Sequence, residues 1–246
     1  LAAATLGTMA IGATSASAAT VAMTTPGKVS FTQSTTTNPE IIDPTNPTVI
    51  TPTTPTTPKG ALDIDYASDF DFGNHAVSYG TSKTYEALLD EVVYGDGTHH
   101  YTSPFVAVHD ERGTFAGWNL TVKNTPFTAS TTTSTALGGT LTGATVKVIN
   151  TSVKSGSTDM AYAPSNAGFT IDGTGAAQNV MAAQTDKGMG AWTYVMGAST
   201  DVTNPDTATG TTKGVTLNIP SSAMMKAEIY TSTITWTLAD TPTGTV

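Results

Sequence analysis

Apolar and polar residues alternate in many short stretches of this chain, and most of these stretches end at Gly, Pro, Asn or Ser. In 62–66, for example, Leu, Ile and Tyr alternate with Asp. A period of two places successive side chains on opposite faces of a strand, so each stretch predicts a half-buried strand. The other stretches with this period are 105–108, 118–122, 143–150, 169–171, 191–196, 214–220 and 227–238. Many short strands predict an all-β fold, with a single sandwich- or barrel-like domain.

Only the stretch 84–93 also fits a helical turn, which Gly95 and Gly97 would end. The composition disfavours long helices elsewhere, since the 246 residues include 52 Thr, 23 Gly and 13 Pro. Thr is restricted about its first side-chain torsion, and Gly and Pro destabilise helix interiors. The composition therefore supports the all-β prediction.

The first nineteen residues are apolar or small, and they end at Ala16, Ser17, Ala18 and Ala19. Small residues of this kind form the cleavage site of a secretory signal peptide. We therefore predict that 1–19 is the remnant of a signal peptide and that the protein is secreted. No other run approaches the ~18 apolar residues of a membrane span, so we expect no membrane span after cleavage.

Two segments separate this predicted signal peptide from the domain. Residues 20–34 form an N-terminal segment, in which the alternation at 28–33 predicts a short strand. Residues 35–59 carry repeated Thr-Pro and Asn-Pro pairs, which favour an extended, exposed polyproline II conformation. We predict that 35–59 is a spacer, dispensable for folding, and that the domain covers 60–246.

Charge and cysteine content exclude several classes of function. The net charge is −9, from 19 acidic and 10 basic residues, and the basic residues form no cluster. Nucleic acid is therefore not an expected partner. The chain has no Cys, which excludes disulfides, thiolate metal sites and cysteine nucleophiles.

His99 and His100 follow Asp96 and form one candidate metal site. Adjacent residues of a strand point to opposite faces, so joint chelation would need a loop, and a solvated loop is the simpler interpretation. The nucleophile elbow, the zinc-protease helix and the phosphate-binding loop are all absent from the sequence. We predict no catalytic residue, no metal and no cofactor.

Four aspartates are spaced by two in pairs, at Asp63 and Asp65 and at Asp69 and Asp71. Two carboxylates on one strand face are compatible with calcium binding or with glycoside hydrolysis. A calcium loop also needs a glycine at its sixth position and a closing glutamate, and the segment lacks that arrangement. We therefore interpret these aspartates as the water-facing side of an amphipathic strand.

Two strands carry the same Trp-x-Leu pattern. Trp118 and Leu120 share a face of one predicted strand, and Trp236 and Leu238 share a face of the last one. Such a pair is typical of a sandwich core, and it also suits a binding surface. The sequence leaves both roles open.

The longer pattern around the second pair resembles the distal motif of the WxL-domain surface proteins of Gram-positive bacteria. It comprises Tyr230, Ile234-Thr-Trp236, Leu238, Asp240 and Pro242, and 118–120 is similar to the proximal motif of that family. The stretches 62–66 and 214–220 are also similar to segments of this domain. Ile234 replaces a frequent Leu, which is a volume-conserving change.

The resemblance implies a secreted, non-enzymatic protein bound non-covalently to the cell wall surface. The implied partners are peptidoglycan and other WxL-type or WxL-interacting surface proteins. The sequence has no sortase motif of the type Leu-Pro-x-Thr-Gly, in agreement with non-covalent retention. The implied wall- or partner-binding residues are Trp118, Asn119, Leu120, Tyr230, Trp236, Leu238, Asp240 and Pro242.

Two alternatives remain at this point. The first is a secreted carbohydrate-active enzyme or its binding module, suggested by the paired aspartates and the aromatic residues. The second is an adhesive subunit that binds host matrix proteins.

The acidic composition generates a prediction about pH. Between pH 7.5 and pH 5 the four His gain protons, and the carboxyl groups begin to do so nearer their usual pKa values of about 4. Wall phosphates stay anionic, so their repulsion of the protein weakens. We expect tighter co-sedimentation with purified walls at pH 5, and a smaller pH effect at ~1 M salt, where the screening length is roughly 3 Å. Equal binding under all four conditions would contradict this prediction.

Overall fold

The computed structural model describes residues 23, 25–34, 41–45, 48–52, 60–156, 158–242 and 246. The chain divides into two units, Leu1–Phe31 and Thr32–Val246. The predicted signal peptide, 1–19, lies outside the described residues. The described residues of the first unit contain no helix or strand, whereas those of the second unit form short strands joined by turns and irregular loops.

The described part of the second unit contains strands β1 to β19, and they confirm the all-β prediction. In chain order they are β1 (Ile41–Ile42), β2 (Val49–Pro52), β3 (Leu62–Ala67), β4 (Lys83–Leu88), β5 (Asp90–Tyr94), β6 (His99–Thr102), β7 (Phe105–Asp110), β8 (Trp118–Asn124), β9 (Thr128–Ala129), β10 (Thr145–Val148), β11 (Ser152–Lys154), β12 (Ser165–Asn166), β13 (Phe169–Ile171), β14 (Gln178–Ala183), β15 (Gly190–Val195), β16 (Val202–Thr203), β17 (Thr211–Ile219), β18 (Tyr230–Thr231) and β19 (Ile234–Ala239). The helices within the described ranges are two 3₁₀ turns, Met160–Tyr162 and Ser199–Asp201, and neither has the length or apolar character needed to cross a membrane.

Every strand pairing in the described ranges is antiparallel. Three sheets have the orders β11-β15-β7-β3, β12-β14-β8-β19 and β13-β10-β17-β16, and β4 also pairs with β17. A fourth sheet has the order β1-β2-β5-β6, and β18 pairs with β9. The neighbours in each sheet are mostly distant in sequence, so strand order could not be read from the alternation.

One large hydrophobic core joins the first three sheets. Its largest fully buried side chains are Trp118, Trp192 and Tyr194, which come from β8 and β15. A smaller cluster lies beneath the fourth sheet and contains Ile50 and Phe105. Alternate residues of the strands supply these cores, as the two-residue period predicts.

Several strand predictions are confirmed, and three need correction. The stretch 84–93 forms strands β4 and β5 and not a helical turn, because Ala87 and Val92 both face a core. The stretch 227–238 is two strands, interrupted where the Ser232 hydroxyl donates to the Thr125 carbonyl at 2.6 Å. The strand predicted at 28–33 is not observed, since these residues form no strand and pair with no described strand.

The prediction of an exposed spacer at 35–59 is wrong for its described parts, 41–45 and 48–52. These parts form the hairpin β1-β2, and β2 pairs with β5. Ile42 and Ile50 are buried, and the Tyr94 hydroxyl donates to Asp43 at 2.8 Å. Few apolar residues suffice here because the hairpin covers an existing sheet edge. The remaining residues of 35–59 lie outside the described ranges, and the domain boundaries stay predictions.

The hairpin generates a prediction from two adjacent residues. Ile50 is 4 % exposed and Val49 is 46 % exposed, so only the first contributes to the core. We expect Ile50→Ala to lower the free energy of unfolding by about 2–5 kcal/mol. The matched control Val49→Ala should change it by less than about 0.5 kcal/mol. Denaturant unfolding of both variants measures the difference, and equal small effects would show that the hairpin does not stabilise the domain.

Candidate functional site

The two Trp-x-Leu patterns lie on neighbouring strands. Strand β19 pairs with β8 in antiparallel register, with Leu238 opposite Leu120 and Trp236 opposite Val122. Directly paired residues share a sheet face, so both patterns contribute to one apolar surface. The sequence predicted one apolar face for each strand, and the strand register places these two faces side by side.

The proximal pattern is buried. Trp118 and Leu120 have no exposed surface, and the Trp118 indole N–H donates to the Gly188 carbonyl at 2.9 Å. Asn119 is also buried, and its Oδ1 has no hydrogen-bond partner among the described residues, which reduces stability. In this conformation none of the three side chains reaches the surface.

The distal pattern is different because β19 is an edge strand. Among the described strands, β19 pairs only with β8. Ile234, Trp236 and Leu238 are half-buried against the core, and the Trp236 ring meets Phe169 edge to face at 6.0 Å between centroids. The alternating threonines of β19, Thr235 and Thr237, are exposed, as is Thr233 directly before the strand. The last strand therefore has one apolar face and one threonine face.

Ile234 and Trp236 line a cleft of about 1230 Å³. Residues 68–77 form a second wall and belong to the cleft loop, which we define as 68–82. The segment 225–232 forms a third wall. Phe70 and Phe72 of the loop pack against the core, and Phe72 contacts Phe127 with 6.4 Å between ring centroids. The cleft is therefore largely apolar and rich in aromatic side chains.

Hydrogen bonds hold the cleft loop in place although it contains no helix or strand. Leu88 N–H donates to the Asp71 carbonyl at 2.7 Å, and the Tyr79 hydroxyl donates to the Met225 carbonyl at 2.8 Å. The His75 and Tyr85 rings stack with 3.9 Å between centroids. These contacts fix the loop to β4 and to the segment 225–232.

Tyr230 and Glu228 organise the third wall. The Tyr230 hydroxyl donates to the Gly138 carbonyl at 2.6 Å and accepts from the Lys226 N–H at 2.9 Å. The Glu228 carboxylate accepts from Thr132 and from the Thr131 N–H, and these hydrogen bonds lower its pKa to about 2. Glu228 therefore stays charged at any physiological pH.

The charges around the cleft are mostly negative. Asp69, Asp71 and Glu228 contribute carboxylates, and Lys226 contributes one ammonium group. Two exposed apolar side chains, Val77 and Ile229, flank the opening. An apolar cleft with an acidic border and exposed apolar residues at its mouth is typical of a docking surface.

The paired aspartates differ in exposure, since Asp65 is buried whereas Asp69 and Asp71 are exposed. A bulge in β3 between Ile64 and Tyr66 turns Asp65 into the interior, so the prediction that Asp65 faces water is wrong. Burial raises the pKa of Asp65, and this outweighs the opposing effect of its hydrogen bond to His109. The Asp65 carboxylate and His109 Nδ1 lie 2.6 Å apart, and His109 Nε2 lies 2.8 Å from the Gly60 carbonyl. The Asp65 carboxylate and the His109 ring therefore form their polar contacts with neighbours inside the fold.

His99 and His100 also point to different partners. His99 Nδ1 lies 2.9 Å from Glu91, and His100 Nδ1 lies 3.1 Å from Asp206. The side chains diverge because adjacent strand residues face opposite sides. In the described ranges, no three His, Asp or Glu side chains are grouped as metal ligands.

Comparison with models of known protein families tests the resemblance to the WxL family. A family model described as a WxL domain, surface cell wall-binding, matches residues 18–242. The chain belongs to the WxL family. Comparison with curated proteins and with solved structures gives no match. The WxL assignment confirms the family inferred from the Trp-x-Leu motifs, and it makes this chain a cell-wall-binding surface protein.

The WxL structure separates the eight predicted binding residues into three groups. Trp118, Asn119 and Leu120 lie in the core. Tyr230, Trp236 and Leu238 are half-buried at the cleft or beside it. Asp240 is exposed near Arg112, and Pro242 is partly exposed. A binding role for these residues stays a prediction.

Sequence reasoning missed the aromatic residues that line the cleft from other segments. Phe70, Phe72, Phe127 and Tyr85 carry no motif. The one local signal is the alternation of Phe70 and Phe72 with Asp69 and Asp71, directly before Gly73.

The close contact between Trp118 and Gly188 generates a prediction. Gly188 has φ of +74°, and a Cβ there would lie 2.6 Å from Trp118 Nε1 and would also overlap Ala183. Gly175 has φ of +81° and nothing within 4 Å, so it is a matched control. We expect Gly175→Ala to cost about 1–2 kcal/mol from backbone strain alone.

Gly188→Ala should cost at least about 2 kcal/mol more, because the indole must move. Thermal and denaturant unfolding of both variants give the comparison. Equal destabilisation of the two variants would contradict the close packing of Gly188 against Trp118.

Proposed function

We propose that this protein is a non-enzymatic component of the wall surface, held non-covalently, and that its cleft docks an extended polypeptide from a partner surface protein. Peptidoglycan is the wall polymer to which the assembly attaches. The single observation that carries the proposal is the position of the distal motif beside an apolar cleft, on a sheet edge that no described strand covers.

The main-chain geometry of β19 supports docking of a strand. Thr125 N–H donates to the Thr233 carbonyl at 3.0 Å, which marks 125 and 233 as a hydrogen-bonded pair. Hydrogen-bonded pairs alternate along an antiparallel ladder, so the main-chain groups of Ile234 and Trp236 point away from β8. Both residues also line the cleft. An added strand would therefore gain main-chain hydrogen bonds from the edge and side-chain pockets from the cleft.

Sugar stacking is less well supported at this cleft. Sugar rings need an open aromatic face, but the cleft aromatics contact one another. Phe70 meets Phe72 at 6.5 Å, and His75 covers Tyr85. Side chains of a polypeptide fit between such rings more readily than a flat sugar does.

A hydrolytic function lacks support from the titratable groups. The Asp65–His109 pair is about as buried as the core residues around it, with 2 % and 1 % of each side chain exposed. A general acid or base must reach its substrate within hydrogen-bond distance, directly or through one water. This pair reaches only its own neighbours.

Assembly also explains how an acidic protein stays on an anionic wall. A chain of net charge −9 gains little from electrostatic adsorption. Linking several copies of a weak wall-binding module multiplies their combined affinity without any new kind of contact. Docking at the cleft would supply this linkage.

The proposal is tested by Trp236→Ala in co-sedimentation with cell walls that retain their other surface proteins. Trp236 is half-buried, so we expect a loss of stability below the roughly 3–5 kcal/mol of a fully buried aromatic residue, and a strong loss of sedimentation. Trp236→Phe should retain folding and most of the binding. The matched control Tyr162→Ala removes an aromatic residue that is 46 % exposed outside the cleft, and it should behave as the wild type.

A folded Trp236→Ala variant that still sediments fully would contradict the role of the cleft. The supernatants provide a second readout. Release of reducing sugars or soluble wall fragments by the wild-type protein would contradict the non-enzymatic part of the proposal.

A further inference from the structure

The segment 28–33 has the sequence of a strand but no partner strand among the described residues. Its alternation places Val29 and Phe31 on one face, with Ser30 and Thr32 on the other. Val29 is 74 % exposed and Phe31 is 88 % exposed. Apolar side chains on an alternating, unpaired segment indicate a strand that forms its sheet with another molecule.

The complementary surface is the outer edge of β19, which pairs with no strand in the described ranges. Segment 28–33 and strand β19 are each six residues long, about 20 Å when extended. An added strand would place its apolar face beside Ile234 and Trp236, towards the cleft. Its polar face would lie beside Thr235, in a threonine-rich cross-strand arrangement.

Charge favours the same pairing. Lys28 is the only Lys or Arg before Lys59, and no Asp or Glu precedes Glu40, so the segment is positively charged. The cleft has three carboxylates and one ammonium group, as described above. A basic strand is therefore attracted to the cleft border, whereas a second acidic surface of this chain would be repelled.

We propose that residues 28–33 of one copy add as an antiparallel strand to β19 of a second copy, with Val29 and Phe31 in the cleft. The inference rests on the proposed function and names the partner as another copy of this chain. The donated segment immediately precedes Ser34, whose N–H donates to the Glu111 carbonyl at 3.4 Å. The donor segment and the acceptor edge are different surfaces, so each copy can donate to one neighbour and accept from another. Such head-to-tail contacts form open chains unless they close into a ring.

Self-association without walls tests the inference. We expect sedimentation velocity of the full chain to show concentration-dependent oligomers. The double variant V29D/F31D removes two apolar side chains that are exposed in the single copy, so it should fold normally and weaken self-association about a hundredfold. The matched control M160D/Y162D changes two exposed side chains elsewhere and should associate as the wild type.

A monomeric wild-type protein at high concentration would overturn the inference, and so would unchanged association of V29D/F31D. Association that is lost equally in M160D/Y162D would also overturn it, because the effect would then reflect added charge alone.

Cross-linking locates the contact, and the chain suits it because it contains no Cys. A chain with Ser30→Cys is mixed with a chain carrying Thr235→Cys or Thr237→Cys, and oxidation should yield the mixed disulfide dimer. A disulfide needs Cα atoms within about 7 Å, so only neighbouring strands react efficiently. The control partner is Thr170→Cys, which is exposed on β13. Equal yield with Thr170→Cys, or no dimer with either β19 variant, would overturn the proposal.

These outcomes also distinguish the two levels of the proposal. V29D/F31D could self-associate normally while Trp236→Ala no longer co-sediments with walls. The copy-to-copy contact would then be wrong, and the proposal that the cleft docks a different partner protein would remain. If Trp236→Ala keeps both wall binding and self-association, the cleft itself is not the docking site, and both proposals fail.

Discussion

The pairing of β8 with β19 is the constraint on which the candidate site depends. It places Leu120 opposite Leu238 and joins two motifs that lie more than a hundred residues apart in the chain. Strand β8 is enclosed, because β14 pairs with its other edge, whereas β19 ends the sheet. The same Trp-x-Leu pattern therefore has two roles: the proximal copy fills the core, and the distal copy borders the cleft.

The walls of the cleft are held in place by hydrogen bonds to the segments around it. The cleft loop is tied to β4 and to Met225, and Tyr230 and Glu228 tie the third wall to the loops around Gly138 and Thr132. Collapse of the walls would break these hydrogen bonds, which lowers stability. The proposed docking of an extended partner would therefore need little rearrangement of this cleft of about 1230 Å³, which lies beside a strand edge unpaired among the described residues.

The sequence predicted the strands well where alternation was regular, as in Phe169–Ile171, and it failed where a local feature broke the period. The bulge in β3 inserts one residue into the ladder and so sends Asp65 inward, which no two-residue count detects. Ile42 and Ile50 lie in a Thr/Pro-rich stretch, whose composition predicted an exposed spacer. They nevertheless belong to a hairpin that adds to an existing sheet, and a few apolar residues are enough for that. Local patterns cannot report such long-range contacts.

The same limit applies to the candidate site. The motifs marked both Trp118 and Trp236 as candidate residues. Only the strand order shows that Trp118 lies on an enclosed strand and Trp236 on an edge strand. Phe70 and Phe127 reach the cleft from segments without a motif, so their role depends entirely on the tertiary fold.

The central claim is that β19 is hydrogen-bonded on one side only, and amide hydrogen exchange measured by NMR in the dilute protein tests it most directly. Thr235 and Thr237 donate towards β8, so their amides should exchange slowly, whereas the outward amides of Ile234 and Trp236 should exchange much faster. Slow exchange at all four positions in the monomer, or fast exchange at Thr235 and Thr237, would show that the distal motif is not a free edge and would contradict the account.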